Sequence, residues 1–129
     1  MLNDQTPDYW YEIAKHDAET ANLLIREKGY SDIIIYHFHQ AIEKYLKGKI
    51  IESKGTFPFI HDLKRLYRIL VDRNACYEGL DNAVITLSQF HKDLRYPQSE
   101  ILKDDDVSVA EKAFDEIMRG LNLTLETFD

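Results

Sequence analysis

An all-helical domain is what this sequence predicts, and three observations carry the prediction. Apolar residues recur at spacings of three and four through most of the chain. Glycine and proline, which interrupt helices, number only five and three in 129 residues. No stretch shows the strict alternation or the turn-bounded run of β-branched residues that marks a strand.

The first helix is expected to open at Thr6-Pro7, with Thr6 as cap and Pro7 in the first helical position, where a missing N–H does no harm. Trp10, Ile13, Ala14, Ala21, Leu24 and Ile25 form its apolar stripe, and Gly29 ends it. A second helix follows almost at once, from about Ser31 to Ser53, so the two should lie antiparallel. On a helical wheel it divides sharply. Ile34, Ile35, Phe38, Ala41, Ile42, Tyr45, Leu46 and Ile50 fall on one side; Tyr36, His37, Gln40, Glu43, Lys44 and Lys47 fall on the other. Gly55 to Ile60, with Pro58, reads as a loop. A third helix begins near His61-Asp62, buries Leu63, Leu66, Tyr67 and Leu70, and fades at Arg73-Asn74. The fourth, Glu78 to Leu94, sets Leu80, Val84, Leu87, His91 and Leu94 in a heptad-like seam, and Pro97 stops it. Asp104-Asp105-Asp106 suit a helix N-terminus. Val107, Ala110, Phe114, Ile117, Leu121, Leu125 and Phe128 then define a fifth helix. Five helices with short links predict a single up-and-down bundle over residues 1–129.

Composition narrows the setting. A hydrophobic content of 44% supports one real core in a chain of this length. The lone Cys76 cannot form an internal disulfide, which fits a reducing cytoplasm. No apolar run approaches the roughly 20 residues of a membrane span, and the start of the chain lacks a basic, signal-like segment. A cytoplasmic protein without membrane contact is expected.

The net charge of −7 argues against bulk attraction to nucleic acid. The charge is unevenly spread, however. Residues 44–103 hold 11 of the 16 Lys and Arg against 7 of the 23 acidic residues, a local balance of +4. A basic middle between acidic ends can steer a phosphate-bearing ligand, although solvated helix faces produce the same pattern.

Local motifs exclude several chemistries. His37 and His39 diverge by about 200° on a helix and cannot close on one ion. No Glu-x-x-His pair of the di-iron bundles occurs, and no metal or other cofactor is expected. Cys76 has no His or Asp beside it in a nucleophile pattern. Phosphate-cradling glycine loops are absent. The second helix remains the most informative segment. A Glu43–Lys47 pair at i, i+4 on a solvated face contributes about 0.2–0.5 kcal/mol. Yet this is the most apolar helix of the chain, so its polar stripe is expected to line a cleft or a subunit interface. His39 falls at the edge of the apolar side and reads as structural. His91 sits in the seam of the fourth helix, and Arg95 follows it one turn later.

Tyr9-Trp10 and Ala14-Lys15-His16-Asp17 in the first helix, His39-Gln40-Ala41-Ile42-Glu43-Lys44-Tyr45-Leu46-Lys47 in the second, His61-Asp62-Leu63 opening the third and Arg95-Tyr96-Pro97 after the fourth together resemble the HEPN domain, the "higher eukaryotes and prokaryotes nucleotide-binding" family. The resemblance covers nearly the whole chain. It implies a four-to-five-helix bundle, commonly dimeric, similar to the helical domain of aminoglycoside nucleotidyltransferases. It also implies a nucleotide or RNA ligand, or pairing with a minimal nucleotidyltransferase as toxin and antitoxin. Ribonuclease members carry an Arg followed four to six residues later by His. Arg95 matches that Arg, but no His follows it, so the resemblance argues against the usual ribonuclease site. Three readings result. The leading one is binding of nucleotide, RNA phosphate or a nucleotidyltransferase through His37, Gln40, Glu43, Lys44, Lys47, His61 and Arg95. The second is a divergent metal-independent ribonuclease using Arg95 and His91, and the third a structural homodimer module.

Overall fold

A computed structural model describes residues 4–53, 55–76, 78–90 and 101–123. Among them lie five α-helices: α1 (Pro7–Arg26), α2 (Ser31–Glu52), α3 (Leu63–Asp72), α4 (Asp81–Ser88) and α5 (Asp104–Gly120). A 3₁₀ turn, Glu78–Leu80, leads into α4. The described residues contain no strand, so the chain is an all-α bundle as its periodicity predicts.

The axis of the bundle is α2, which packs against α1, α3 and α5, while α4 closes the far side between α3 and α5. All eight residues predicted for the apolar side of α2 are buried. Leu66 and Leu70 of α3, Val84 and Leu87 of α4, and Phe114 and Ile117 of α5 complete the core around them. The Phe38 and Phe114 rings meet at 4.9 Å, within the range where tilted aromatic pairs attract.

α1 packs differently from expectation. Its fully buried residues are Ala14, Ala18 and Ala21, whereas Trp10, Ile13, Leu24 and Ile25 are only half-buried. Small side chains at spacings of four and three let the α1 axis approach α2 closely. The approach is tightest at Gly48, where a Cβ would stand 2.5 Å from Tyr11 Cε1 and 3.2 Å from Trp10 Cβ.

The helix ends follow local chemistry. Pro7 opens α1 behind an extended Thr6, whose side chain makes no capping hydrogen bond. Asp62 caps α3, accepting from Lys64 N–H at 2.9 Å, so the helix itself begins at Leu63. Asp106 accepts from the Lys103 N–H at 2.9 Å, and Asp104 accepts from the Ser31 hydroxyl at 2.8 Å, tying the starts of α2 and α5 together. Gly29 does not supply the left-handed residue that ends α1; Lys28 does, at φ 57°. The Gly29 N–H reaches back to Leu24 O at 2.7 Å and the Lys28 N–H to Ile25 O at 3.2 Å, the paired bonds of a Schellman ending. Asn74 (φ 53°) and Asn122 (φ 58°) end α3 and α5 the same way.

The fourth helix is shorter than its predicted span of Glu78 to Leu94. It starts as a 3₁₀ turn because the Leu80 N–H docks on the Tyr67 hydroxyl at 3.0 Å. After Ser88 the chain turns at Gln89 and Phe90. The Ser88 hydroxyl bonds Ile85 O at 2.8 Å, a back-bond that competes with helix continuation. His91, Leu94, Arg95, Pro97, Leu125 and Phe128 lie outside the described residues.

Candidate functional site

The polar stripe of α2 divides into two clusters, both met by partners from the same chain. Near its middle, His37 and Lys44 lie two turns apart and converge on Asp17 of α1. His37 Nδ1 donates to Asp17 Oδ1 at 2.8 Å, and Lys44 Nζ donates to Oδ2 at 2.5 Å. Asp17 rides between Ala14, Ala18 and Ala21, so the close helix approach brings its short side chain into reach. Gln40 sits on the same face, half-buried. The spacing of His37 and Lys44 was legible in the sequence; the half-buried counter-charge on another helix was not.

The second cluster is deeper. Glu43 and Lys47 form the i, i+4 pair, at 3.0 Å, but both side chains are buried, at 4% and 8% exposure. Their burial within the chain shows that these two residues do not stand on a solvated face. Lys47 Nζ lies 5.3 Å from the Phe57 ring centre and 5.5 Å from that of Trp10, and those two rings meet edge to face at 5.2 Å. The 55–62 link thus folds over α2 as an aromatic roof. His61, at the end of that link, donates from Nδ1 to the same Glu43 Oε2 at 2.8 Å. Glu43 Oε1 is buried with no hydrogen-bond partner.

Beside this cluster opens a groove of about 590 Å³ between the start of α3 and the end of α4. Its lining includes His39, Phe59, His61, Asp62, Lys64, Arg65, Ser88 and Gln89. Lys64 and Arg65 are exposed at the first turn of α3, where the helix dipole adds positive potential. Asp62 offsets part of it while capping the helix. His39 is buried, as the sequence suggested, yet forms part of the groove wall. Of the predicted site residues that lie among the described ones, His61 alone lines the groove; Lys64, Arg65, Ser88 and Gln89, which line it too, were not among them. Two adjacent cations opening a ten-residue helix were the available signal.

Other titratable groups are poor acid–base candidates. Burial pushes the Tyr11 and Tyr45 phenols well above their ordinary range, helped by Glu52 at Tyr11 and by Glu19 at Tyr45. Burial likewise pushes the Cys76 thiol up, against the opposing pull of Lys49 and Arg68, so its thiolate is disfavoured at neutral pH. Among the described residues no three His, Cys, Asp or Glu side chains gather as a metal site. No described helix is long and apolar enough to cross a membrane.

The HEPN domain profile matches residues 7–122, nearly the whole chain. The chain belongs to the HEPN family. No curated protein and no solved structure matches it. In this HEPN domain the family-like segments occupy defined places: Ala14 to Asp17 lies on α1, His39 to Lys47 on α2, and His61-Asp62-Leu63 carries the capped start of α3.

Proposed function

We propose that this HEPN protein binds the phosphate groups of a nucleotide or single-stranded RNA in the groove at the start of α3. The observation that carries the reading is the placement of Lys64 and Arg65, both exposed, on the first turn of a helix that lines a 590 Å³ groove. A helix N-terminus with two adjacent cations favours an anion through both backbone dipoles and side-chain charge. Residues 44–103, which include Lys64 and Arg65, carry a local positive balance although the chain is acidic overall. Phe59, completely exposed at the rim, offers a ring on which a base can stack. Family membership points the same way, toward nucleotide- or RNA-related work.

Calorimetric titration with nucleoside triphosphates and a short oligoribonucleotide at low salt tests the proposal. Binding is expected to one of them, and Lys64→Glu with Arg65→Glu should abolish it. Unchanged binding in the double variant would remove the groove from the reading. Pairing with a minimal nucleotidyltransferase is part of the same proposal, because such a partner handles the same ligand chemistry. Co-expression followed by purification through the partner should retain this chain; complete separation would remove the pairing. The homodimer is proposed as well. Ile33 and Tyr36, one turn apart on α2, expose apolar surface that a second copy would cover. Sedimentation should give a dimer that Ile33→Glu dissociates.

A further inference from the structure

Next to the groove lies a smaller notch of about 150 Å³, lined by Lys64, Tyr67, Arg68, Asp81, Val84 and Ile85. Lys64 and Ile85 also line the groove, so the two spaces adjoin at these residues. The notch is smaller than the roughly 300 Å³ at which sites begin to enclose whole small molecules, so it suits a compact group such as a phosphate and not a base. Its arginine follows Lys64 at i+4 on α3, about 6 Å along the helix axis. An anion of the chain itself already meets that arginine. Arg68 Nη2 donates to Asp81 Oδ1 at 3.0 Å, with the two side chains 50% and 45% exposed. The partners differ in freedom. Asp81 is the first residue of α4, and the N–H of Leu80 just before it is held by the buried Tyr67 hydroxyl at 3.0 Å. Arg68 reaches it on a long flexible side chain.

We infer that the notch is a second phosphate subsite, in which Arg68 exchanges Asp81 for the next phosphate of a strand whose preceding phosphates lie at Lys64 and Arg65. The inference rests on the proposed phosphate binding in the groove and adds the class of ligand: a single strand that continues past one nucleotide. Phosphates of a nucleoside polyphosphate share a bridging oxygen and crowd within the first turn of α3. Those of a strand are separated by a ribose, which lets the chain reach a cation one turn further on. Asp81 makes the subsite selective for such a chain. A free phosphate gains little by displacing a carboxylate of the same charge, whereas a strand already held in the groove presents its next phosphate at high effective concentration. The exchange replaces one anion by another at Arg68, so it adds no net counterion release in the wild-type chain.

Calorimetric titration of the full chain with UTP and with a short oligouridylate, repeated over a series of salt concentrations, tests the subsite through Asp81→Asn, Arg68→Gln and the double variant. Asp81→Asn keeps the size of the side chain and removes the competing charge. It should strengthen oligouridylate binding about two- to fivefold, the worth of an exposed ion pair. It should also steepen the slope of log K against log salt by about 0.7, because Arg68 then neutralises a phosphate with no anion released in exchange. UTP, which ends in the groove, should bind within about twofold of wild type, since its phosphates do not reach the exposed Arg68–Asp81 pair. Arg68→Gln should weaken oligouridylate and spare UTP. In the Arg68→Gln background Asp81→Asn should leave the slope unchanged, which distinguishes a freed arginine from a mere loss of negative charge. Oligouridylate binding that keeps its strength and slope in Asp81→Asn, or that changes as much without Arg68, overturns the subsite and leaves the groove standing. If Asp81→Asn does not fold, Arg68→Gln decides, and undiminished oligouridylate binding overturns the inference. Binding of neither ligand overturns both proposals.

Discussion

Glu43 and Lys47 show how far environment outweighs spacing. On a solvated face an i, i+4 pair contributes a few tenths of a kcal/mol, but here both groups are stripped of water and each depends on the other. Lys47 has the faces of Trp10 and Phe57 as secondary support, whereas Glu43 Oε1 has no hydrogen-bond partner. Removing one member leaves a buried charge uncompensated. Glu43→Ala should therefore destabilise the protein by about 3 kcal/mol in urea unfolding. Replacing both, Glu43→Leu with Lys47→Met, should recover most of that loss, because an apolar pair of similar volume carries no desolvation penalty. A single variant within about 0.5 kcal/mol of wild type would show that water reaches the pair.

At the scale of elements, α1 and α2 are held close by what their contact lacks. Ala14, Ala18 and Ala21 on one side and Gly48 on the other leave space for the helices to approach, and the same closeness buries the polar stripe. An alanine at Gly48 would gain about 1 kcal/mol of helix propensity. Its Cβ would also press into the Tyr11 ring and Trp10 Cβ, and overpacking of this kind costs about 1–3 kcal/mol. Gly48→Ala should therefore lower the urea midpoint; a rise would mean that Tyr11 swings aside freely. Periodicity was enough to place all five helices, because each buries a stripe that repeats every three to four residues. It could not place their ends, since a Schellman ending needs a left-handed residue and Lys28 accepts that geometry where Gly29 was expected to. On α5, Glu111 and Asp115 lie one turn apart, and burial holds both carboxyls above their ordinary range, with the Asp115 charge adding to the effect at Glu111 and Arg119 opposing it at Asp115. Folding therefore favours their protonated forms. The resulting penalty is absent below the unfolded carboxylate range, near pH 3, and grows as pH rises through that range and past the raised folded values. Glu111→Gln should raise stability at neutral pH by roughly 0.2–0.5 kcal/mol and leave it unchanged in acid. Parallel unfolding curves at both pH values check the sign.

Across the whole molecule, charge distribution decides what the groove can hold. The groove draws on residues near 39, 59–65 and 85–89, three elements far apart in sequence, so no local pattern revealed it. The sequence did reveal the basic middle of the chain, and the fold gathers part of it at one helix start. His37 and Lys44 looked equally suited to a ligand, but a wheel diagram cannot distinguish a polar face turned to solvent from one turned to the half-buried Asp17. In the proposed binding, the described phosphate contacts come from Lys64 and Arg65 of the groove, in a chain whose net charge is −7. This fixes its salt dependence. Each phosphate neutralised on a single strand contributes about −0.7 to the slope of log K against log salt, so Lys64 and Arg65 together give about −1.4. A slope steeper than about −4 would require about six or more neutralised phosphates and would place the main binding surface elsewhere. Lys64→Gln alone should flatten the slope by about 0.7 while weakening all sequences alike, because a contact to phosphate carries no base information.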